Sequence, residues 1–155
     1  MIRFVEKKEE KRYIAETVLA DLSDWFGMPE YTQNYIDESA NMPFWAAYDG
    51  LNPVGFIAMK ETSPHTAEVY VMGILKNHHG SGLGRDLYFA FEKYAKGKGY
   101  SYLQVKTVKM GYYEEYDRTN RFYMAMGFCE LECFPTLWDP WNPCMVYVKY
   151  IGEGD

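Results

Sequence analysis

Three observations predict an α/β fold on a mixed sheet for this chain of 155 residues. An apolar stretch over 67–75 runs straight into the glycine-rich segment His79-Gly80-Ser81-Gly82-Leu83-Gly84, and that segment opens an amphipathic helix. Apolar runs on either side of Asp49-Gly50-Leu51-Asn52-Pro53 read as a hairpin, so part of the sheet is antiparallel. The second half alternates strand, helix, strand and helix. That order implies at least one parallel, right-handed crossover with a crevice at the strand carboxyl ends, where the glycine loop lies.

A short strand over 2–5 leads into a helix over about 9–26, in which Ile14, Val18, Leu19 and Leu22 recur on one face and which Gly27 and Pro29 stop. A second helix spans 30–39 and breaks at Asn41, Met42 and Pro43. Strands follow at 44–48, 54–60 and 67–75. The last contains Gly73, and a glycine within a strand marks a bulge or a close ligand approach. The helix over 82–95 places Leu83, Leu87, Ala90, Phe91 and Tyr94 on one face, and Gly97 and Gly99 end it. A buried strand at 102–108, a short helix at 118–126 closed by Gly127, and strands at 128–134 and 145–150 complete the order. Two connections are rich in aromatics. The segment 111–117 is an acidic, tyrosine-bearing loop suited to a cation, and 134–143 is a long connection able to wall an acceptor pocket or a homodimer contact.

The length suits one domain over 1–155 with a single core. With 22 acidic against 16 basic side chains and a net charge of −6, the surface repels nucleic acid and favours a cationic partner. Cys129, Cys133 and Cys144 make an odd count without a signal peptide, which fits a reducing, cytoplasmic setting. No run is long enough for a membrane span, so no membrane partner is expected. His65, His78 and His79 lack ligand spacing with Cys129 or Cys133, so no metal is expected either.

Alternate glycines let a backbone pass close to a diphosphate, and the helix N-terminus that follows favours anionic charge. Two phosphate loops are excluded by spacing. A dinucleotide fingerprint needs a glycine where Arg85 stands, and a Walker loop needs Gly-Lys-Ser/Thr where Gly84 is followed by Arg85 and Asp86. Basic or imidazole residues Lys76, His78 and His79 precede the glycines.

The loop, together with Tyr123-Met-Ala-Met-Gly127-Phe128 some forty residues on, resembles the two signatures of the GNAT superfamily of N-acetyltransferases, in the family's order. The first signature is Gln/Arg-x-x-Gly-x-Gly/Ala, with His79 in place of Gln or Arg; the second is Tyr-x-x-x-Gly-Phe. The resemblance covers nearly the whole chain and implies a central mixed sheet of about six to seven strands flanked by about four helices. It also implies acetyl-CoA as cosubstrate, with a cradle of Met72, Gly73, Ile74, His79, Gly80, Ser81, Gly82, Leu83, Gly84 and Arg85. Tyr116 stands where family members often carry an asparagine against the pantetheine arm. Glu68 occupies a strand position used by some members for a general base, and Tyr123 is the tyrosine of the second signature.

Such chemistry needs both groups. An alkylammonium with a pKa of about 10.4 costs roughly 4 to 5 kcal/mol to deprotonate at neutral pH. Glu68, directly or through water, can take that proton. Backbone N–H groups around Met72 to Ile74 can hold the developing oxyanion, and Tyr123 can protonate the leaving thiolate. The expected reaction is direct attack by a primary amine in a ternary complex, and the amine is a small molecule or a protein group. A catalytically silent CoA-binding module is the alternative.

Overall fold

The computed structural model describes residues 1–26 and 28–152. The elements in chain order are β1 (Ile2–Phe4), α1 (Lys8–Ala20), α2 (Pro29–Ser39), β2 (Phe44–Asp49), β3 (Asn52–Ser63), β4 (Thr66–Ile74), a 3-10 turn (Lys76–His78), α3 (Leu83–Gly97), β5 (Tyr102–Val108), α4 (Glu114–Ala125), β6 (Cys129–Asp139) and β7 (Asn142–Tyr150). The strands form a seven-stranded mixed sheet in the order β1-β2-β3-β4-β5-β7-β6. The pairs β1–β2, β2–β3, β5–β7 and β6–β7 are antiparallel. The chain divides into two compact units: residues 1–60 with 69–98, and 61–68 with 99–155.

In the first unit β2 is buried on both faces, which is why Phe44-Trp45-Ala46-Ala47 reads as a continuous apolar run. Its even-numbered residues Phe44 and Ala46 join Phe56, Ala58 and Val71 against Ile14, Ala15, Val18, Leu19 and Leu22 of α1 and the turn after it. The alternate residue Trp45 meets α3 through Phe91 and Tyr94, at centroid distances of 5.8 and 5.1 Å. Gly73 is explained by the first of these layers. A Cβ built on it would lie 2.9 Å from Leu22 Cδ1 and 3.1 Å from Val18 Cγ1, so the residue is small because α1 packs directly on β4.

Helix α1 ends at Ala20, about six residues earlier than the apolar spacing suggested. Leu22 keeps the spacing because it still faces the core, but it does so from a turn in which the Trp25 and Phe26 amides both bond Leu22 O. The stop expected at Gly27 lies outside the described residues; Pro29 instead starts α2, in the first-turn position that tolerates a missing N–H.

In the second unit the hairpin turn between β3 and β4 is tied to the start of β5, because His65 O accepts the amides of Ser101 and Tyr102 at 2.9 and 3.1 Å. Strand β5 pairs with β7 through the register Gln104↔Val148, Lys106↔Val146 and Val108↔Cys144. Two sequence readings are corrected here. The segment 134–143 is not a long connection: β6 and β7 both extend into it, and Asp139 pairs with Asn142. Pro135 lies within β6, which ends the strand order, and an edge strand tolerates a residue that cannot donate to a ladder. The acidic stretch 111–117 is only partly a loop. Glu114, Glu115 and Asp117 form the first turn of α4, where their charge favours the helix dipole.

Candidate active site

The glycine loop belongs to the first unit and is built by its own hydrogen bonds. Gly80 and Gly82 have φ of 80° and 86°, the left-handed region that only glycine enters without strain. A Cβ on either would meet nothing within 4 Å, so the backbone conformation, not crowding, demands glycine. Gly82 caps α3 without any side-chain cap bond, and the first helical bond runs from the Asp86 amide to Gly82 O. The amides of Leu83, Gly84 and Arg85 therefore point out of the helix start with no acceptor inside it. Ser81 closes the loop on itself, its hydroxyl and amide both donating to His78 O.

The basic residues before the glycines are turned onto the loop's own scaffold. Lys76 Nζ lies 3.1 Å from Asp24 Oδ2, and its amide donates to Asp21 Oδ2 at 2.7 Å. His78 Nε2 stands 3.2 Å from Asp49 Oδ2. His79, the departure from Gln or Arg, donates through Nε2 to Ile74 O at 2.7 Å and meets the Trp25 ring edge at a centroid distance of 5.8 Å. Its imidazole fastens the loop to the end of β4. Arg85 lies over the Phe89 ring at 5.8 Å, along α3. Met72, Gly73 and Ile74 are the last residues of β4, leading into this turn.

The second unit carries the two residues expected to move protons. Glu68, on β4, is 6% exposed, so the carboxylate is inside rather than on an edge. Its Oε1 accepts Gln104 Nε2 and Lys106 Nζ, each at 3.2 Å, and Oε2 lies 3.4 Å from the same ammonium. Gln104 and Lys106 were missed at the sequence level. Their signal is the alternation along β5, where Leu103, Val105 and Thr107 are buried and the residues between them are polar.

Tyr123 is buried, and burial pushes its phenol upward from the ordinary value of 10.0. The signature around it is a helix terminator. Phe128 N–H bonds Tyr123 O at 3.0 Å, Gly127 N–H bonds Met124 O at 3.0 Å, and Gly127 has a φ of 98°. The Tyr123 and Phe128 rings meet edge to face at 5.6 Å. These are the two bonds and the apolar contact of a Schellman motif, so Tyr-x-x-x-Gly-Phe places the tyrosine by ending the helix beneath it.

Tyr116 lies on the first turns of α4, its ring 6.1 Å from that of Tyr113. Three residues before Tyr123, Asn120 is fully buried, and sequence reasoning missed it as well. Its Nδ2 donates to Val108 O at 2.8 Å and to Tyr116 O at 2.6 Å, while the Tyr147 hydroxyl donates to its Oδ1. One amide thus joins β5, α4 and β7. The signal was an amide in helical register with Tyr116 and Tyr123. Replacing Asn120 by alanine is expected to destabilise the fold by about 2–3 kcal/mol, because several buried bonds go at once; urea unfolding measures it.

Among the described residues, no group of three or more His, Cys, Asp or Glu is placed to hold a metal, and no helix is long and apolar enough to cross a membrane.

The fold and the two signatures define a class. The family model described as Acetyltransferase (GNAT) family matches residues 13–128, and the chain belongs to that family. Among solved structures, the chain is similar to Ard1 from Thermoplasma volcanium, with 18% identity, a TM-score of 0.80, and 99% of this chain and 98% of that one covered. An acetyltransferase from Streptococcus agalactiae gives 20% identity and a TM-score of 0.77 over 97% and 98% of the two chains. An aminoglycoside 6'-N-acetyltransferase complexed with coenzyme A gives 16% identity and a TM-score of 0.77 over 100% and 99%. A comparison with curated protein sequences gives no match.

Proposed function

We propose that this chain is an acetyl-CoA-dependent N-acetyltransferase acting on a primary amine by direct attack in a ternary complex. The observation that carries the reading is the helix start at Gly82, which leaves the amides of Leu83, Gly84 and Arg85 free of helical bonds in a member of this family. Those amides bind the CoA diphosphate through the backbone, since His79 is engaged with Ile74 O. The backbone at Met72 to Ile74 receives the acyl end and its oxyanion. Glu68 takes the ammonium proton and the neutral amine attacks the thioester carbonyl; as the C–S bond breaks Tyr123 protonates the departing thiolate, and the proton that the attacking nitrogen sheds restores the Tyr123 phenol, directly or through water. The acceptor is a small cationic amine. Tyr112, Tyr113 and Tyr116 offer ring faces, and Glu114 and Glu115 offer negative charge, at the start of α4.

The testing experiment measures thiol release from acetyl-CoA with a panel of amines, beside the CoA-induced shift in melting temperature. Thiol release that depends on an amine supports the transferase. A melting shift without release by any amine makes the chain a silent CoA-binding module, and no shift at all overturns the loop assignment. Replacing Glu68 by glutamine is expected to lower turnover by about a hundredfold or more while CoA affinity stays within about threefold. Steady-state kinetics at saturating acetyl-CoA gives the first value, and calorimetry with CoA gives the second.

A further inference from the structure

The carboxylate of Glu68 is not simply buried; it is held unequally at its two oxygens. Two donors from β5 converge on Oε1 at 3.2 Å, whereas among the described residues Oε2 has one, the longer 3.4 Å bond from Lys106. Gln104 and Lys106 are two residues apart and so project to the same face of β5. On that face their register partners on β7 are Val148 and Val146, and the next residue in line, Cys144, is fully buried opposite Val108. Burial pushes the Cys144 thiol up to about 11, so it stays neutral in this surround. A carboxylate with 7% side-chain exposure needs partners merely to be tolerated, but it does not need both donors on the same atom.

We propose that Lys106 and Gln104 are positioning residues of the transfer reaction, holding Oε1 of Glu68 so that Oε2 is the atom that accepts the ammonium proton. The inference rests on the reading of Glu68 as the base. In the step, a proton leaves the alkylammonium for Oε2, directly or through one water. The products are a neutral amine, whose lone pair then attacks, and a neutral carboxylic acid. Protonated Glu68 no longer balances the adjacent Lys106 charge, which favours passing the proton on to solvent and restores the carboxylate for the next turnover. Gln104 fixes the rotamer without contributing charge, so geometry and charge balance are carried by different side chains and are separable by substitution.

The test is a mutant cycle of Glu68→Gln, Lys106→Met and the double variant, together with Lys106→Arg and Gln104→Leu, read as kcat, KM for acetyl-CoA and CoA-induced melting shift. Lys106→Met is expected to lower kcat by about tenfold to a hundredfold with KM for acetyl-CoA changed by less than about twofold. Lys106→Arg restores kcat to within about threefold of the parent, since a guanidinium can donate to the same carboxylate. Gln104→Leu lowers kcat by about fivefold and keeps the melting temperature, and it carries the test if Lys106→Met does not fold. In the Glu68→Gln background the Lys106→Met loss disappears. An unchanged kcat in folded Lys106→Met or Gln104→Leu overturns the proposal and leaves Glu68 as base. A Lys106→Met loss of the same size in the Glu68→Gln background overturns it too. Parental kcat in Glu68→Gln alone overturns the base reading and this proposal with it.

Discussion

Replacing Gly82 by valine is expected to abolish CoA binding while the second unit keeps its fold. At a φ of 86° a β-branched residue is strained: staying in the left-handed region costs about 1–2 kcal/mol, and leaving it forces the turn to rearrange. The space around the new Cβ is open on the protein side, so nothing in the fold resists the side chain. The loss therefore falls on the helix start, where the outward amides of Leu83, Gly84 and Arg85 lose their common direction. Calorimetry with CoA measures the binding, and far-UV circular dichroism shows whether helix content is kept. Micromolar binding retained by a folded variant contradicts the placement of the diphosphate. Alanine at the same position is the milder comparison and is expected to weaken binding rather than remove it.

Replacing Tyr123 by phenylalanine is expected to lower turnover by about a hundredfold with little change in CoA affinity. Phenylalanine keeps the ring against Phe128 and the backbone bonds of the terminator, so the substitution isolates the hydroxyl. Unchanged turnover removes Tyr123 from the chemistry and leaves it as a helix-end residue. A stability effect accompanies it. Below about pH 10 the phenol is protonated in both folded and unfolded chains, and its stabilising contribution is complete. Above that value the unfolded phenol ionises while burial keeps the folded one neutral, so stability falls as pH rises toward the raised folded value. Unfolding between pH 9 and about 11 measures the slope, which is expected to be shallower in the variant.

Much of this arrangement was legible because local rules and the fold agree. Residues 102–108 read as a strand and form β5 over those same residues. The glycine loop declared its left-handed turns through glycine itself, and Gly127 declared a helix end. What escaped depended on neighbours distant in sequence. Gly73 also has a packing reason that its strand does not display, Leu22 and Val18, some fifty residues earlier. The end of α1 was hidden because Leu22 keeps its core position after the helix has stopped. The extended hairpin of β6 and β7 escaped because the pairing of Asp139 with Asn142 is not visible along the chain. In the candidate site, Glu68 and Tyr123 were singled out by the family resemblance. Gln104, Lys106 and Asn120 belong to no motif and were given only by strand and helix pairing.

The His79 anchor has a thermodynamic consequence for the loop it holds. With its imidazole on Ile74 O and against Trp25, and with Lys76 tied to both Asp21 and Asp24, the turn is fixed to β4 and to the segment after α1 before any ligand arrives. The conformational freedom of those residues is therefore surrendered during folding. Association then loses little entropy to loop ordering, and a backbone cradle without a long cationic side chain can still bind tightly.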